Sequence, residues 1–188
     1  MATVETIRPR LTYADLERMP DDGRRYELYD GEVVVVPSPL PLHQMVHARL
    51  VDLLRSYAAA RGGLCLYAPL DIVFSDYDVL QPDIVYFRPE RRQLIDLRKV
   101  IRIPPDLCIE ILSPSTAGRD RGRKMETFAR FGVKEYWIVD PAAAALEAHE
   151  LADGRYQLRE RATEADSVSS PLLPGLSLSV RPIFQDLL

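Results

Sequence analysis

The chain has 188 residues, of which 47% are hydrophobic, and a formal net charge of −4. Its length favours one domain with a sizeable core. It has no stretch of about 18 uncharged apolar residues, and the start MATVETIRPR lacks the apolar segment of a secretion signal. We therefore expect a soluble cytoplasmic protein with no membrane partner. Cys65 and Cys108 form no CxxC or Cys/His pattern, so neither a disulfide framework nor a structural zinc site is indicated.

Basic charge is concentrated in two segments. Residues 88–102 and residues 119–134 each contain six basic and two acidic residues, a local charge of +4. The negative total argues against a general nucleic-acid coat, because nonspecific affinity for phosphate comes from clustered positive charge. Each segment is either the solvated face of a charged element or a patch beside a site, and the sequence leaves both interpretations open.

The N-terminal part is predicted to contain a short helix, a hairpin and a long helix. Thr12 occupies an N-cap position at the start of LTYADLERMP. Asp30-Gly31 joins two β-prone runs, which is a strong hairpin signal. From Leu42 to Arg61 apolar residues recur at helical spacing, and Gly62-Gly63 ends that helix.

The rest of the chain is predicted to alternate strands and helices. LCLYAPLDIVF and LQPDIVYF are strands around the turn SDYD, and LCIEIL is a buried strand. TAGRDRGRKMETFARFG is a helix before the buried strand EYWIVD, which suggests a crossover connection. A second hairpin surrounds Asp153-Gly154, and the tail gives a short strand and a terminal helical turn. This order predicts a mixed sheet flanked by helices, in the α/β or α+β class, with N-terminal and C-terminal β-hairpins.

Two carboxylates stand beside buried strands. Glu110 interrupts an otherwise apolar strand, where an ionised group is costly unless a partner compensates it. Asp83 lies at the mouth of the preceding strand. If the two strands are neighbours, the acids approach and resist joint ionisation unless a cation lies between them. Oxygen ligands with few histidines favour Mg²⁺ or Mn²⁺ over zinc. A buried salt bridge or a hydrogen-bonded structural acid is the alternative for Glu110.

A lysine follows on the next helix. Asp120, Lys124 and Phe128 share one helix face by their spacing, so the Lys124 ammonium can reach back toward the acids. There it can orient a water or stabilise charge that develops on a phosphate. The alternative is an exposed pair with Asp120 that contributes about 0.3–0.5 kcal/mol.

Glu27 and His43 are further candidates with ordinary structural alternatives. Glu27 can belong to a strand-face ion pair, and His43 can be a hydrogen-bonded core histidine. His43 and His47 lack the intervening Glu of HExxH, so a zinc protease is rejected. The sequence also lacks a GxSxG elbow and a Gly-rich phosphate loop.

Five ordered sequence blocks resemble the Uma-type family of proposed bacterial restriction endonucleases. They are RRYELYDGEVV, HQMVHARL, QPDIVYF, PDLCIEILSPST and DRGRKMETFARFGVKEYWIVDP, and they span about Arg25 to Pro141. That family is placed in the PD-(D/E)XK nuclease superfamily, whose fold is a mixed sheet flanked by helices. We therefore expect one restriction-endonuclease-like domain over residues 1–188, with residues 1–10 flexible.

The resemblance implies a metal site and its surroundings. Asp83 and Glu110 would hold Mg²⁺ or Mn²⁺, with one more oxygen from the carbonyl of Ile111. Gln81, Glu27 and His43 would line the same site.

The same resemblance shows two departures from relatives. Superfamily members usually carry the catalytic lysine two residues after the acid, where this chain has Leu112. In the Uma-type family the lysine lies on the following helix, which makes Lys124 the replacement. Phe128 stands where relatives often have Tyr, so a hydroxyl is expected to be missing beside the site.

The expected function is a Mg²⁺-dependent endonuclease that hydrolyses DNA phosphodiester bonds. Asp83, Glu110 and Lys124 would be catalytic, and the basic segments would hold flanking phosphates. Arg119, Asp120 and Arg123 are the binding candidates from the second segment. The alternative is a catalytically weak or inactive module that binds nucleic acid or protein on the same fold. A homodimer is expected for a protein that cuts both strands.

Overall fold

The computed structural model describes residues 9–187. The expected flexibility of residues 1–10 falls mainly on residues 1–8, which lie outside the described residues. The helical segments are α1 Tyr13–Leu16, α2 Pro41–Arg61, α3 Pro89–Arg92, α4 Ala117–Arg119, a π-helical turn Asp120–Lys124, α5 Met125–Arg130 and α6 Arg181–Phe184. The strands are β1 Arg25–Tyr29, β2 Glu32–Val36, β3 Leu64–Tyr67, β4 Ile72–Ser75, β5 Asp78–Leu80, β6 Ile84–Phe87, β7 Leu107–Ile111, β8 Glu135–Asp140, β9 Ala145–Ala152, β10 Arg155–Thr163, β11 Ser167–Ser169 and β12 Ser177–Ser179.

The strands form a large mixed sheet, a smaller sheet and a short two-stranded pair. The six-stranded sheet has the order β10-β9-β8-β7-β6-β3, and the four-stranded sheet has the order β2-β1-β5-β4. Within the large sheet β7 and β8 are parallel, while β6 pairs with β7 antiparallel. The helical segment from α4 to α5 connects the two parallel strands. The predicted fold class, a mixed sheet with flanking helices and two hairpins, is confirmed.

Helix α2 covers one face of the large sheet. Val46, Leu50 and Leu54 are fully buried, at the four-residue spacing that places them on one helix side. They pack in one core cluster with Ile109 and Ile111 of β7. Gly62 ends the helix with φ of 78°, a left-handed conformation that glycine adopts at little cost.

The opposite face of the large sheet packs against α5 and strands of the smaller sheet. Cys108 and Leu112 share a second core cluster with Tyr29 of β1 and Phe128 of α5. Because side chains alternate across a strand, Glu110 points to this second face. The carboxylate of β7 is thus directed toward the segment that follows the strand.

The two predicted hairpins have the turn chemistry that their sequences indicate. Asp30 and Gly31 have φ of 50° and 79°, and Asp153 and Gly154 have φ of 49° and 76°. Positive φ at both central residues is the type I′ turn, whose twist matches the paired strands. The N-cap prediction at Thr12 is also confirmed, since Thr12 and Asp15 form a capping box.

The structure divides several elements that the sequence predicts as continuous. LCLYAPLDIVF is split into β3 and β4 around Pro69, and LQPDIVYF is split into β5 and β6 around Pro82. Proline lacks the N–H that a central strand donates, which explains both breaks. The helix predicted after β7 is interrupted by the π-helical turn. Strand β11 was not predicted, because its sequence carries no strand signal. Among the described residues, no helix is both long enough and apolar enough to cross a bilayer.

Candidate active site

Asp83 and Glu110 meet because their strands are neighbours. Asp83 immediately precedes β6, and Ile84 of β6 pairs with Ile109 of β7, the residue before Glu110. Both carboxylates line one cavity of about 340 Å³. The two acids were expected to approach each other only if their strands are neighbours, and β6 and β7 are neighbours.

Most of the site residues predicted from sequence line this cavity. The lining includes Glu27, His43, Gln81, Asp83, Glu110, Ile111, Arg119, Asp120 and Lys124. They come from β1, the start of α2, the β5–β6 connection, β7 and the α4–α5 segment. Arg123 lies elsewhere, on the border of a different depression.

Asp83 is held by two donors on the same oxygen. His43 Nε2 donates to Asp83 Oδ2 at 3.1 Å, and the backbone N–H of Ile111 donates to it at 2.8 Å. Burial by itself raises the pKa of Asp83, but the hydrogen bond from His43 and then the charge of Lys124 lower the pKa below its usual value. Asp83 is therefore ionised at neutral pH.

Lys124 is a buried ammonium with three oxygen neighbours. Its Nζ lies 2.8 Å from Glu110 Oε1 and 3.1 Å from Glu27 Oε1, and it donates to the carbonyl of Gln81 at 3.3 Å. Its side chain is 6% exposed. The alternative of an exposed pair with Asp120 is therefore wrong, because Lys124 points inward.

In the buried pair of Lys124 and Glu110, the pKa values of both groups are shifted. Burial raises the pKa of Glu110 well above its usual value, against the opposing charge of Lys124. Burial by itself lowers the pKa of Lys124, but the carboxylates of Glu110 and Glu27 raise it well above its usual value. The lysine thus stays charged and compensates two buried acids.

Glu27 ties the smaller sheet to the cavity. Its side chain is 1% exposed and accepts hydrogen bonds from the Tyr29 hydroxyl at 2.9 Å and from the Gln81 backbone N–H at 2.8 Å. Sequence reasoning missed Tyr29, although a residue two positions along a strand shares the face of Glu27. It also missed Asp71, which accepts from Gln81 Nε2 at 2.7 Å and had no sequence signal.

The π-helical turn places Asp120 and Lys124 inside. Asp120 is 3% exposed, and its backbone oxygen accepts from the Tyr136 hydroxyl at 3.0 Å. Burial raises the pKa of Asp120, opposed by the charge of Lys124. Single π-helical turns within α-helices occur frequently at functional sites. Here the turn lets the segment present both polar side chains to the cavity.

Most arginines of the second basic segment are neutralised by nearby acids. Arg123 pairs with Glu32 at 2.6 Å, and Arg121 pairs with Glu147 at 2.6 Å. Arg119 is the arginine of this segment that lines the cavity. Arg123 was expected to belong to the site, but the structure places it outside the cavity. Its ion pair with Glu32 holds it there.

The first basic segment lies away from the cavity. Asp83 precedes β6, whereas Arg88 follows the other end of that strand. Arg88 and Arg91 both contact the buried carboxylate of Asp106, at 3.2 and 2.9 Å. Among the residues that the structure describes, none from 88 to 102 lines the cavity. Two arginines of this segment therefore compensate a structural acid, and the expectation that the segment holds flanking phosphates stays a prediction.

Comparison with known families identifies the family of this chain. Residues 13–181 match the Uma2 family, which is described as "Putative restriction endonuclease". The chain belongs to the Uma2 family. The resemblance drawn from the five sequence blocks is thus confirmed.

A solved structure from Anabaena variabilis, described as "a putative nuclease belonging to DUF820", has the same fold as this Uma2 protein. The TM-score is 0.77, with 21% sequence identity over 93% of this chain and 97% of that chain. The comparison with curated proteins found no match.

The two positions at which this Uma2 chain was expected to differ from relatives, Leu112 and Phe128, are both buried. Leu112 is 9% exposed and packs in the apolar cluster of the second sheet face. Phe128 is fully buried and packs edge-on against Tyr136, with ring centroids 5.3 Å apart. Phe128 therefore lies in the core and not on the cavity lining. The Tyr29 hydroxyl, also buried, contacts the lining residue Glu27, to which it donates at 2.9 Å.

Four polar atoms in residues that line the cavity are buried without a hydrogen-bond partner. Within residues 9–187 they are His43 Nδ1, Gln81 Oε1, Glu110 Oε1 and Arg119 Nη1. Glu110 Oε1 still forms an ion pair with Lys124, and Arg119 Nη1 lies 3.9 Å from Glu27 Oε2. Buried polar groups are normally hydrogen-bonded, so such atoms need an explanation. Their convergence on one cavity leaves these atoms available to water or to a polar ligand there.

The donor set fits a hard divalent cation with an open coordination sphere. No group of three or more His, Cys, Asp or Glu in the described part of the chain forms a closed metal site. Mg²⁺ does not need one, since it keeps several waters and uses one or two carboxylates together with substrate phosphates. Asp83, Glu110 and the carbonyl of Ile111 are oxygen donors of the kind this ion prefers.

Proposed function

We propose that this Uma2 protein is a metal-dependent endonuclease that hydrolyses DNA phosphodiester bonds. The observation that carries the proposal is the convergence of Asp83, Glu110 and Lys124 in one cavity. The descriptions of the family and of the Anabaena protein support nuclease function. The fold by itself does not, because one fold hosts many functions.

Asp83, Glu110 and the Ile111 carbonyl would hold Mg²⁺ or Mn²⁺. When bound, the ion lowers the pKa of water and neutralises charge on the phosphoryl oxygens. Asp83 is prepared for this task because its lowered pKa keeps it ionised. The donors from His43 and Ile111 both fall on Oδ2 and fix the carboxylate orientation.

Lys124 has two tasks in this mechanism. In the resting protein its ammonium holds Glu110 and Glu27 in place at 2.8 and 3.1 Å. During the reaction it stabilises the negative charge that develops on the phosphate, as a fixed cation in a dry site does more strongly than in water. Arg119, with its buried Nη1, binds a phosphoryl oxygen through a charge-assisted hydrogen bond.

The test uses circular DNA, which only an internal cut can open. Purified protein is incubated with supercoiled plasmid and with circular single-stranded DNA, with Mg²⁺ or with EDTA. We expect cleavage that needs Mg²⁺ and is lost in Asp83→Asn. The matched control is Asp78→Asn, because Asp78 is also buried but pairs with Arg130 outside the cavity. Cleavage that survives Asp83→Asn rejects the proposal.

A second candidate function is a binding module with little or no nuclease activity. It is favoured by Leu112 at the usual lysine position and by the three oxygen neighbours of Lys124, which occupy its ammonium. Calorimetric titration with Mg²⁺ or Mn²⁺ distinguishes the two. The nuclease binds the ion and loses binding in Glu110→Gln, whereas the module shows no such change. The homodimer stays a prediction, which light scattering in solution checks.

A further inference from the structure

Tyr67 is an exposed aromatic residue at the edge of the candidate site. It is the last residue of β3, the edge strand of the large sheet, and pairs with Ile84, the residue after Asp83. The residue is 44% exposed. The next two residues, Ala68 and Pro69, line the cavity. Tyr67 therefore stands at the rim of the cavity that contains the acids.

A series of rings connects Tyr67 with the site. His47 packs edge-on against Tyr67 with ring centroids 5.7 Å apart, and His43 stacks on His47 at 6.3 Å. His47 is anchored in turn, because its Nε2 donates to the backbone oxygen of Asp83 at 3.0 Å. The position of the Tyr67 ring is thus fixed relative to Asp83, while much of its surface stays open to solvent.

The charged groups of the site lie inside a small space. The side chains of Glu27, Glu110 and Lys124 are 1%, 4% and 6% exposed. The cavity volume of about 340 Å³ is at the small end of ligand pockets, which hold roughly 300–1,000 Å³. That space suits a single nucleotide unit and is far too small for a duplex. A flexible unpaired strand can bring a phosphate into this space more readily than a duplex, whose backbone is held in the double helix.

The charge around the cavity also favours an unpaired strand. Arg25, Arg119 and Lys124 are the lysines and arginines of its described lining, and Lys124 is paired with two acids. Tight binding of duplex DNA rests on many phosphate contacts from clustered cations. Single-strand binding gains further affinity from bases that stack on aromatic side chains. An exposed, fixed tyrosine beside a cavity whose three basic residues are outnumbered by Glu27, Asp83, Glu110 and Asp120 matches the second mode better than the first.

We infer that the site takes an unpaired DNA strand and that a base next to the reacting phosphate stacks on Tyr67. This inference rests on the proposed function and names its substrate class. It also removes the need for two-fold assembly, since cleavage of an unpaired strand involves one site at a time.

The test measures binding without cleavage. Fluorescence anisotropy in EDTA compares a short labelled single-stranded oligonucleotide with its blunt duplex. We expect wild-type protein to bind the single strand more tightly. Tyr67→Ala weakens that binding about 5-fold to 150-fold, the range for loss of one base stack, whereas Tyr67→Phe keeps it. The matched control is Tyr77→Ala, which binds as wild type does, because Tyr77 is 37% exposed at the β4–β5 turn of the smaller sheet.

Three outcomes overturn the inference: tighter binding of the duplex, equal binding by Tyr67→Ala and Tyr77→Ala, or no binding of either probe. Failure of the proposed function has a different signature. Circular DNA is then not cut, or is cut by Asp83→Asn, whatever the anisotropy shows. A protein that cuts in an Asp83-dependent way but prefers the duplex keeps the nuclease proposal and loses the inference about the unpaired strand.

Discussion

Lys124 Nζ lies 2.8 Å from Glu110 Oε1, and the two groups reach each other from different elements of the crossover. The acid is in β7, while the amine comes from the π-helical turn that follows it. Leu112, two residues after the acid, packs in the core instead. The site thus obtains its lysine from the helical side, where the same ammonium also contacts Glu27 of the smaller sheet.

Loss of the Lys124 ammonium should destabilise the protein as well as stop catalysis. We expect Lys124→Met to lower the free energy of unfolding by about 3–5 kcal/mol, since it leaves buried carboxylates without their cation. Urea unfolding measures the change. The double variant Lys124→Met with Glu110→Gln should regain part of the loss, because one of the uncompensated charges is removed. A single variant as stable as wild type would contradict the central role of the ammonium.

Added Mg²⁺ should stabilise the protein through Glu110. A ligand that binds only the folded state adds about 2.7 kcal/mol when its concentration is 100 times its Kd. The melting temperature of wild type should therefore rise with Mg²⁺ and return when EDTA is added. Glu110→Gln should show no rise, while Asp78→Asn, altered outside the cavity, should behave as wild type does. A rise of equal size in Glu110→Gln would place the ion elsewhere.

Arg119 and Arg123 should differ in their effect on cleavage. Arg119 Nη1 is buried on the cavity with no hydrogen-bond partner among the described residues and with only a 3.9 Å contact to Glu27, whereas Arg123 is 41% exposed and paired with Glu32 at 2.6 Å. We expect Arg119→Gln to lower kcat/KM about 10-fold or more, because a hydrogen bond to a charged group contributes about 1.5–3 kcal/mol. Arg123→Gln should leave the rate near wild type and cost at most about 1 kcal/mol of stability. Equal rate losses would show that the exposed segment binds substrate.

Ser170 should stabilise the C-terminal segment in a pH-dependent way. Its Oγ donates to the buried carboxylate of Glu135 at 2.8 Å, and Trp137 Nε1 donates to the same carboxylate at 2.9 Å. Burial raises the pKa of Glu135, while the Ser170 hydrogen bond, Trp137 and the charge of Arg159 oppose the rise. Ser170→Ala should cost about 1.5–3 kcal/mol at neutral pH.

The sign of the pH effect follows from the raised pKa. When the pKa of a carboxyl group is higher in the folded protein than in the unfolded protein, the free energy of unfolding falls as the pH rises between the two pKa values. Removal of Ser170 raises the folded pKa further, so the cost of Ser170→Ala should be smaller at about pH 4 than at about pH 7. Urea unfolding at both pH values measures this difference. An equal cost at both values would mean that the serine acts without regard to the charge of Glu135.

Local sequence signals were sufficient for much of the fold. The helical period of α2, its terminal Gly62 and the two Asp-Gly turns each depend on neighbours in sequence, and each was confirmed. The acid in an apolar strand was also visible, because Glu110 breaks a pattern that is otherwise continuous. Such features require no knowledge of distant contacts.

Other features required the tertiary structure. The π-helical turn at Asp120–Lys124 shifts main-chain hydrogen bonds within a helical sequence and leaves no residue signature. The separation of Arg119 from Arg123 depends on Glu32, an acid far away along the chain. The contacts of Arg88 and Arg91 with Asp106 were not visible in the sequence for the same reason, because they form only after folding.

The contact between Glu27 and Lys124 joins the first strand of the protein to a late helical segment. Contacts of such long sequence separation form slowly, since the intervening chain must first be ordered. While the ribosome is still adding the central residues, a growing chain has the early acid but not the late amine. The pairing of these two groups therefore cannot form until synthesis has passed Lys124, so the candidate site is incomplete in every shorter growing chain.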